Sequence, residues 1–327
     1  MKKILFATTA LIATSGMAAA EIKIGGSARF GLVYVEDQTT TLSNGASETV
    51  DETRVEQRFR VNIDGITESD SGVKFEARIR LEANEAVDNS ISGRGPGAAR
   101  FTVSTGGFRL DLGNTSDVID SGDVVDFFGY GVGLTSFIEQ SSNGDLDLVG
   151  FGAGSQDTTT VKARYTAGDF TVAASYSDNQ LIDDAASIAD TSSEAVQADV
   201  QQYQIGASYN FGNYTVGAAF GNTDGDTVDE DFWAASFNGE IGAVAFSVLA
   251  TDSDDQDDVT FGASLNYALS SATDLRFAIS DGGDDDAETS FGVGFRHSLG
   301  GGVSLRGGVG QNADDNTVAD LGVALSF

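Results

Sequence analysis

Period-two alternation of apolar and polar residues constrains this chain more than any other feature. Residues 214–221 put Tyr214, Val216, Ala218 and Phe220 on one face and Thr215, Gly217, Ala219 and Gly221 on the other. Residues 259–267 repeat the pattern, with Val259, Phe261, Ala263, Leu265 and Tyr267 opposing Thr260, Gly262, Ser264 and Asn266. Comparable segments occupy 170–177, 203–211, 244–251, 291–297 and 317–327. Side chains of a strand alternate between faces, so alternation of this length marks strands with one apolar and one polar side. The fold class is all-β.

Two kinds of connection take turns between the strands. Short ones are Thr105-Gly106-Gly107, Ala167-Gly168-Asp169, Phe211-Gly212-Asn213 and Leu299-Gly300-Gly301-Gly302. The others are acidic and often longer, at 36–53, 179–200, 223–230, 252–258, 281–287 and 312–316. That rhythm predicts an up-and-down antiparallel barrel with its short turns on the periplasmic side. Sixteen strands are expected, beginning near 22, 54, 73, 99, 107, 159, 169, 201, 214, 231, 242, 258, 273, 287, 303 and 317. A barrel of about that size encloses an aqueous channel.

A soluble sandwich also alternates, so the register of the aromatic residues matters. Seven of the eight tyrosines (Tyr34, Tyr165, Tyr176, Tyr203, Tyr209, Tyr214 and Tyr267) fall in the apolar register, mostly near strand ends. Aromatic girdles of a lipid-facing barrel sit there, whereas core aromatics need not favour strand ends. The opposite face, of Thr, Ser, Asn, Gln, Arg and Gly, is too polar for a packed core. The fold expected is a 16-stranded antiparallel transmembrane β-barrel.

Residues 1–20 read as an export signal. Lys2 and Lys3 precede a short apolar run from Ile4 to Ile12, and Ala18-Ala19-Ala20 forms an A-x-A cleavage site. Residues 21–327 would remain as one barrel domain. No later stretch reaches the roughly 18 consecutive apolar residues of a membrane helix.

The sequence holds 18 basic and 50 acidic residues, a net charge of -32, and losing Lys2 and Lys3 makes it more acidic still. Nucleic acid is not an expected partner, because phosphate contacts require Lys and Arg. Disorder is excluded by 40% hydrophobic residues, among them 21 Phe. With no cysteine and a single histidine, His297, in the lipid-facing register, neither nucleophilic catalysis nor zinc chemistry has candidates. No enzyme is expected and no cofactor. The Asp-rich loops 252–258 (DSDDQDD) and 281–286 (DGGDDD) lack EF-hand spacing, so structural calcium is a weak reading of them beside plain solvation.

Basic residues are unevenly placed: fifteen of the 18 precede residue 165, and only Arg276, Arg296 and Arg306 follow. In 54–63, Val55, Phe59, Val61 and Ile63 occupy the lipid register, which turns Arg54, Arg58 and Arg60 inward. In 73–81 the same parity turns Lys74, Arg78 and Arg80 inward, and it does so for Lys23, Arg29, Arg100, Arg109, Lys162 and Arg164. A charge on the lipid face near the midplane costs about 2–4 kcal/mol, which decides the assignment. Strands one to six are neighbours, so these side chains form one basic wall. A plainer reading pairs them with nearby Glu56, Glu76 and Glu82 merely to hydrate the lumen.

The longest strand-free interval, 114–158, carries Asp117, Asp120, Asp123 and Asp126 at three-residue spacing, then Glu139. Its Val118, Ile119, Val124, Val125, Phe127 and Phe128 are suited to packing inside a barrel. Loops this long are usually functional.

Four blocks resemble the trimeric sixteen-stranded general porins of the Rhodobacter type. They are Glu21–Tyr34 (EIKIGGSARFGLVY), Tyr165–Asp178 (YTAGDFTVAASYSD), Tyr209–Phe220 (YNFGNYTVGAAF) and Leu299–Phe327, about a quarter of the chain. The resemblance implies passive diffusion of small hydrophilic solutes and ions across the outer membrane. It also implies a homotrimer, for which small lipid-side residues such as Gly26, Ala28 and Ala319 would suit packing between barrels. Outer-membrane lipids, lipopolysaccharide and the barrel assembly machinery are the other implied partners, the last reading the terminal Phe327. The third long loop, 114–158, would fold into the lumen and narrow it. The expected aperture sets Asp117, Asp120, Asp123, Asp126 and Glu139 against Arg29, Arg54, Arg58, Arg78 and Arg80, with Arg60, Arg100 and Arg109 completing the basic wall. Two alternatives stay open: a substrate-selective porin, and a secreted acidic calcium-binding β-rich surface protein.

Overall fold

A computed structural model describes residues 20–41, 47–85, 91–94, 99–141, 158–179, 200–225 and 228–327. The export signal therefore lies outside the described residues, Ala20 excepted, as does 142–157 of the long loop.

The barrel has sixteen strand positions. They are β1 (Glu21–Val35), β2 (Thr53–Glu68), β3 (Lys74–Glu85), β4 (Ile91–Arg94 and Arg100–Thr105), β5 (Phe108–Gly113), β6 (Thr158–Ala167), β7 (Phe170–Asn179) and β8 (Val200–Phe211). The second half comprises β9 (Tyr214–Gly225), β10 (Asp229–Ile241), β11 (Val244–Ser253), β12 (Thr260–Ala268), β13 (Thr273–Asp281), β14 (Ser290–Gly300), β15 (Val303–Gln311) and β16 (Thr317–Ser326). Every strand pairs antiparallel with its sequence neighbours, and β1 pairs with both β2 and β16, which closes the sheet. The second piece of β4 starts at Arg100, beside the expected 99, but its first piece begins eight residues earlier, at Ile91. Most other starts fall within two residues of expectation, and the largest shift among them is from 287 to Ser290. Two features were not legible. β4 comes in two pieces that both pair with β3, and the first long loop contains a small hairpin of Thr39–Thr41 and Ser47–Thr49.

Exposure separates a membrane barrel from a sandwich. On β8 the apolar Ile205 is 63% exposed, while its neighbour Gln204 is 3% exposed. Phe30, Phe59, Phe220, Phe261 and Leu321 are likewise exposed, and Ser247, Thr260 and Ser280 are wholly buried. A soluble protein buries the opposite set, so the outer face is built for hydrocarbon. Near the short turns, Phe211, Tyr214, Phe237 and Phe246 form a chain of ring contacts, with Tyr214–Phe237 at 5.8 Å and Phe237–Phe246 at 5.5 Å. Tyr176 and Tyr203 meet at 4.9 Å toward the other end. These rings sit on the outward face near strand ends, as the tyrosine register leads one to expect.

The short turns are as tight as hairpins allow. Gly106 and Gly107 link β4 to β5 with φ of 53° and 90°, the left-handed conformation that a two-residue loop demands of both positions. At the seam, Gly26 N donates to Phe327 O (2.8 Å) and Phe327 N to Gly26 O (3.1 Å). The Phe327 ring stacks on Phe59 at 5.9 Å, in space that a Cβ on Gly26 would invade. Gly26 thus takes part in barrel closure.

Candidate functional site

The long loop after β5 runs along the inside of the barrel, and the inward faces of β7–β16 are shaped to receive it. A loop crossing a channel must satisfy its backbone N–H groups. Here short polar side chains of the wall accept them: Val118 N donates to Ser175 Oγ (3.2 Å) and Ile119 N to Gln204 Oε1 (2.9 Å). Further round, Asp126 N donates to Ser236 Oγ (2.9 Å) and Tyr130 N to Ser264 Oγ (2.8 Å). At the far end Asp320 of β16 accepts from Leu134 N (2.7 Å), Thr135 N (2.8 Å) and Thr135 Oγ1 (2.9 Å). Arg276 Nη1 donates to the Gly131 carbonyl (3.1 Å). The Ser and Gln register, read from sequence as a hydrated lumen face, is in these places a mount.

Apolar contacts supplement the polar ones. Val118, Ile119, Val124, Val125 and Phe127 bury themselves on the inward Ala173, Ala219, Phe232, Ala234 and Leu249, with Phe128 packed alongside. Val132 and Ile138 do the same on Ala278. Inward glycines provide the clearance. A Cβ on Gly217 would collide with the Val124 carbonyl oxygen, and one on Gly262 with that of Gln140. Gly294 and Gly308 leave room for Val132, and Gly31 and Gly322 for Leu134.

The loop thereby covers β7–β16, touches β1 where Leu134 meets Gly31, and leaves most of the β1–β6 wall facing the channel. That uncovered wall is the one lined with arginine, and acids of the wall itself hold most of the arginines. Glu56 binds Arg29 and Arg54 (2.7 Å each), Glu82 binds Arg60 (2.8 Å), Glu76 binds Arg100 (2.6 Å) and Asp111 binds Arg109 (2.7 Å). Asp64 holds Arg78. Among the described residues Arg58 and Arg80 form no ion pair. Arg58 stands between Arg29 and Arg60, and Arg80 Nε donates to Asn62 Oδ1 (3.0 Å). Of the plainer pairings expected, Glu56, Glu76 and Glu82 all occur; Asp64 and Asp111 were missed, although their inward register is the clue.

The acids of the loop divide differently from the expected facing row. Asp123 reaches the wall, accepting from Lys162 Nζ (2.9 Å) and from Arg164 Nη1. Asp120 feels Lys162 and Arg80. Asp117, by contrast, is fully buried at the base of the loop and accepts from Asp120 N (2.8 Å). Asp126 Oδ1 accepts from Gly129 N (3.2 Å), a turn within the loop. Among the described residues no cation offsets the burial of Glu139. Asp117, buried beneath the loop, therefore does not oppose the arginines, and among the described residues neither Asp126 nor Glu139 forms an ion pair with Arg29, Arg54, Arg58 or Arg78. The sequence reading also passed over Arg276, Arg296 and Arg306, which face the lumen as a second basic group near the short turns.

Titration follows from these surroundings. Burial pushes the carboxyls of Asp117 and Glu139 up to about 7. Burial also acts on Asp123, but Lys162 and Arg164 outweigh it and hold that carboxyl below its ordinary value. A raised carboxyl favours the docked loop when protonated. For Asp117 and Glu139 that stabilisation is complete below their ordinary values of 3.8 and 4.5 and is lost as pH rises through about 7. Backbone hydrogen exchange across 117–140 should accordingly quicken between pH 4 and 7, after correction for the intrinsic rate; a flat corrected profile would contradict these burials.

Among the described residues no group of three or more His, Asp or Glu is assembled to hold a metal ion. The acidic loops instead bond to backbone, as where Asp257 Oδ2 accepts from Asp285 N (3.1 Å).

A closed sixteen-stranded barrel with a lipid-compatible exterior, a charged interior and a loop laid along its inner wall defines an outer-membrane β-barrel. A family model described as Gram-negative porin matches residues 7–317. The chain belongs to that family. A porin of Fuscovulum blasticum is 36% identical over 101 residues, 31% of this chain and 32% of that protein. A porin of Rhodobacter capsulatus is 29% identical over 213 residues, 62% of this chain and 57% of the relative. The matched segments thus span about a third and somewhat over half of these relatives' lengths. Among solved structures, a triple mutant of the Rhodopseudomonas blastica porin superposes with a TM-score of 0.73 at 24% identity, covering 94% of this chain and 100% of that one. At that identity the likeness speaks for the fold. These relatives are porins rather than enzymes.

Proposed function

We propose that this protein is a passive diffusion channel for small hydrophilic solutes and ions in the outer membrane, working as a homotrimer. The observation that carries the reading is the division of the lumen: the loop lines β7–β16, and the arginines of β1–β6 border what stays open. Opposed charge across an aperture orients water and polar solutes and disfavours apolar ones. Here Asp120 and Asp123 supply the loop's side of that field, and Arg80, Lys162 and Arg164 the wall's. Basic residues Arg29, Arg54, Arg58, Arg60, Arg78, Arg100 and Arg109 extend it along the channel. Lipids and lipopolysaccharide would surround the trimer, and the assembly machinery would engage Phe327 on the last strand.

Single-channel recording of the purified protein in planar bilayers tests this. Discrete steps with ohmic conductance are expected, and silence from folded protein would defeat the reading. Mass measurement in detergent would give three chains if the trimer is right. Arg58 and Arg80, the arginines of the β1–β6 wall without an ion pair among the described residues, offer a sharper check. A unit charge about 4 Å from a permeant ion is worth about 1 kcal/mol in a water-like medium, several-fold in occupancy. Arg58→Gln with Arg80→Gln should therefore move the reversal potential in a KCl gradient toward the potassium potential. An unchanged reversal potential would remove these residues from the aperture.

A further inference from the structure

Between β3–β6 and the start of the long loop lies a cavity of about 280 Å³. Arg78, Arg80, Arg100, Arg109, Lys162 and Arg164 line it, with Asp111 and Asp123 as the carboxylates. Its electrostatics are the reverse of the chain's. Asp64 and Glu76 neutralise Arg78 and Arg100 from behind without lining the space. Even with Asp120 counted as ionised beside Lys162 and Arg80, six cations face five carboxylates in a protein of net charge -32.

The placement of these cations costs stability. Arg78 stands directly across the ladder from Arg100, and Arg109 directly across from Arg164. Like charges so opposed are destabilising, and local conflicts of this kind concentrate at functional sites. The acids behind do more than offset the repulsion. They fix each guanidinium by one part of its fork, Arg78 by Nε and Arg100 by Nη2, and leave other N–H groups over. Arg100 Nε and Arg164 Nε, which lack a hydrogen-bond partner among the described residues, are closed to solvent, so the donors left over for a ligand are Nη groups. Planar, pre-oriented guanidinium groups with spare donors match the paired oxygens of an oxyanion better than they match a spherical halide.

We propose that this cavity is a binding subsite for phosphate groups, free or carried on a small solute, at which an anion pauses during passage. The proposal rests on the channel reading above. It assigns Arg80 and Arg164 as the residues that contact the phosphate, with Lys162 as a point charge and Arg78, Arg100 and Arg109 held ready by Asp64, Glu76 and Asp111.

Two measurements on the full-length protein test it, with inorganic phosphate as the probe. In single-channel recording at fixed ionic strength, replacing chloride by phosphate should give a saturable reduction of current. Equilibrium binding of phosphate to the detergent-solubilised protein should saturate as well, with one site per chain. Arg80→Gln should raise both midpoints by about tenfold or more, the loss of one charge-assisted bond. Arg80→Lys should restore less than the full affinity, because it returns the charge without the fork. Current falling in simple proportion to phosphate, with no saturable binding, would overturn the subsite and leave the channel standing. Binding that persists unchanged in Arg80→Gln and in Arg164→Gln would overturn it equally. Saturable, Arg80-dependent binding by a protein that gives no conductance would uphold the site and defeat the channel reading instead.

Discussion

Gly217→Val and Gly262→Val should each loosen the inner loop by about 1–3 kcal/mol, the usual cost of forcing extra carbons into a packed interface. Neither glycine is at a turn. Each lies in mid-strand with its missing side chain directed at a carbonyl of the loop, Val124 in one case and Gln140 in the other. Backbone cannot rotate aside as a side chain can, so the loop itself must lift. The expected readout is faster hydrogen exchange in 117–140, by about tenfold for each 1.4 kcal/mol lost, with noisier open-channel current. The barrel strands should keep their protection, because β8, β9 and β12 retain their ladders. Gly65→Ala, on β2 where a Cβ comes no nearer than 4.0 Å to the Ala77 carbonyl oxygen, serves as the contrast for loop effects. If Gly217→Val leaves loop exchange unaltered, the loop does not lie on this wall.

This pair of residues also shows where sequence reading stopped. Strand number, order and facing were legible because lipid and water impose a two-residue alternation locally, strand by strand. Tyr214–Phe220 needs no knowledge of any other segment. What Gly217 is for depends on Val124, ninety-odd positions earlier, and no local pattern encodes that. The same holds for Ser175, Ser236 and Ser264, which look like hydration and act as acceptors for loop N–H groups. Asp320 is a fourth example, a lone acid in a strand whose meaning appears only when Leu134 and Thr135 arrive. The basic wall was legible by parity, since lipid exposure of Arg54 or Arg78 would be too costly. Its partners were legible only in part. Glu56, Glu76 and Glu82 share the inward register and short distance in sequence, while the three-residue spacing of Asp117, Asp120, Asp123 and Asp126 suggested a common face that the packed loop does not present.

Two aspartates six residues apart in that loop should answer the same substitution with opposite signs. Asp123→Asn removes the one carboxylate shared by Lys162 and Arg164. Breaking a buried ion pair costs about 3–5 kcal/mol because the abandoned charge stays buried. Lys162, with its side chain 6% exposed, meets that condition, whereas Arg164 at 34% regains some water, so the lower end is expected. Loop exchange near 117–123 should rise, and the reversal potential should move toward chloride as two cations lose their counter-charge. Asp117→Asn keeps an oxygen to accept from Asp120 N but removes a carboxyl that burial already holds up to about 7. At pH 8 the wild type must keep that group ionised in a dry place or leave it, so the amide should tighten the loop there. It should also remove Asp117's share of the change between pH 4 and 7, leaving only that of Glu139. Equal effects of the two substitutions on loop exchange at pH 8 would mean that Asp117 is not buried as the structure has it. The contrast separates two uses of acid within one loop: Asp123 joins it to the charged wall, and Asp117 makes its seating depend on pH.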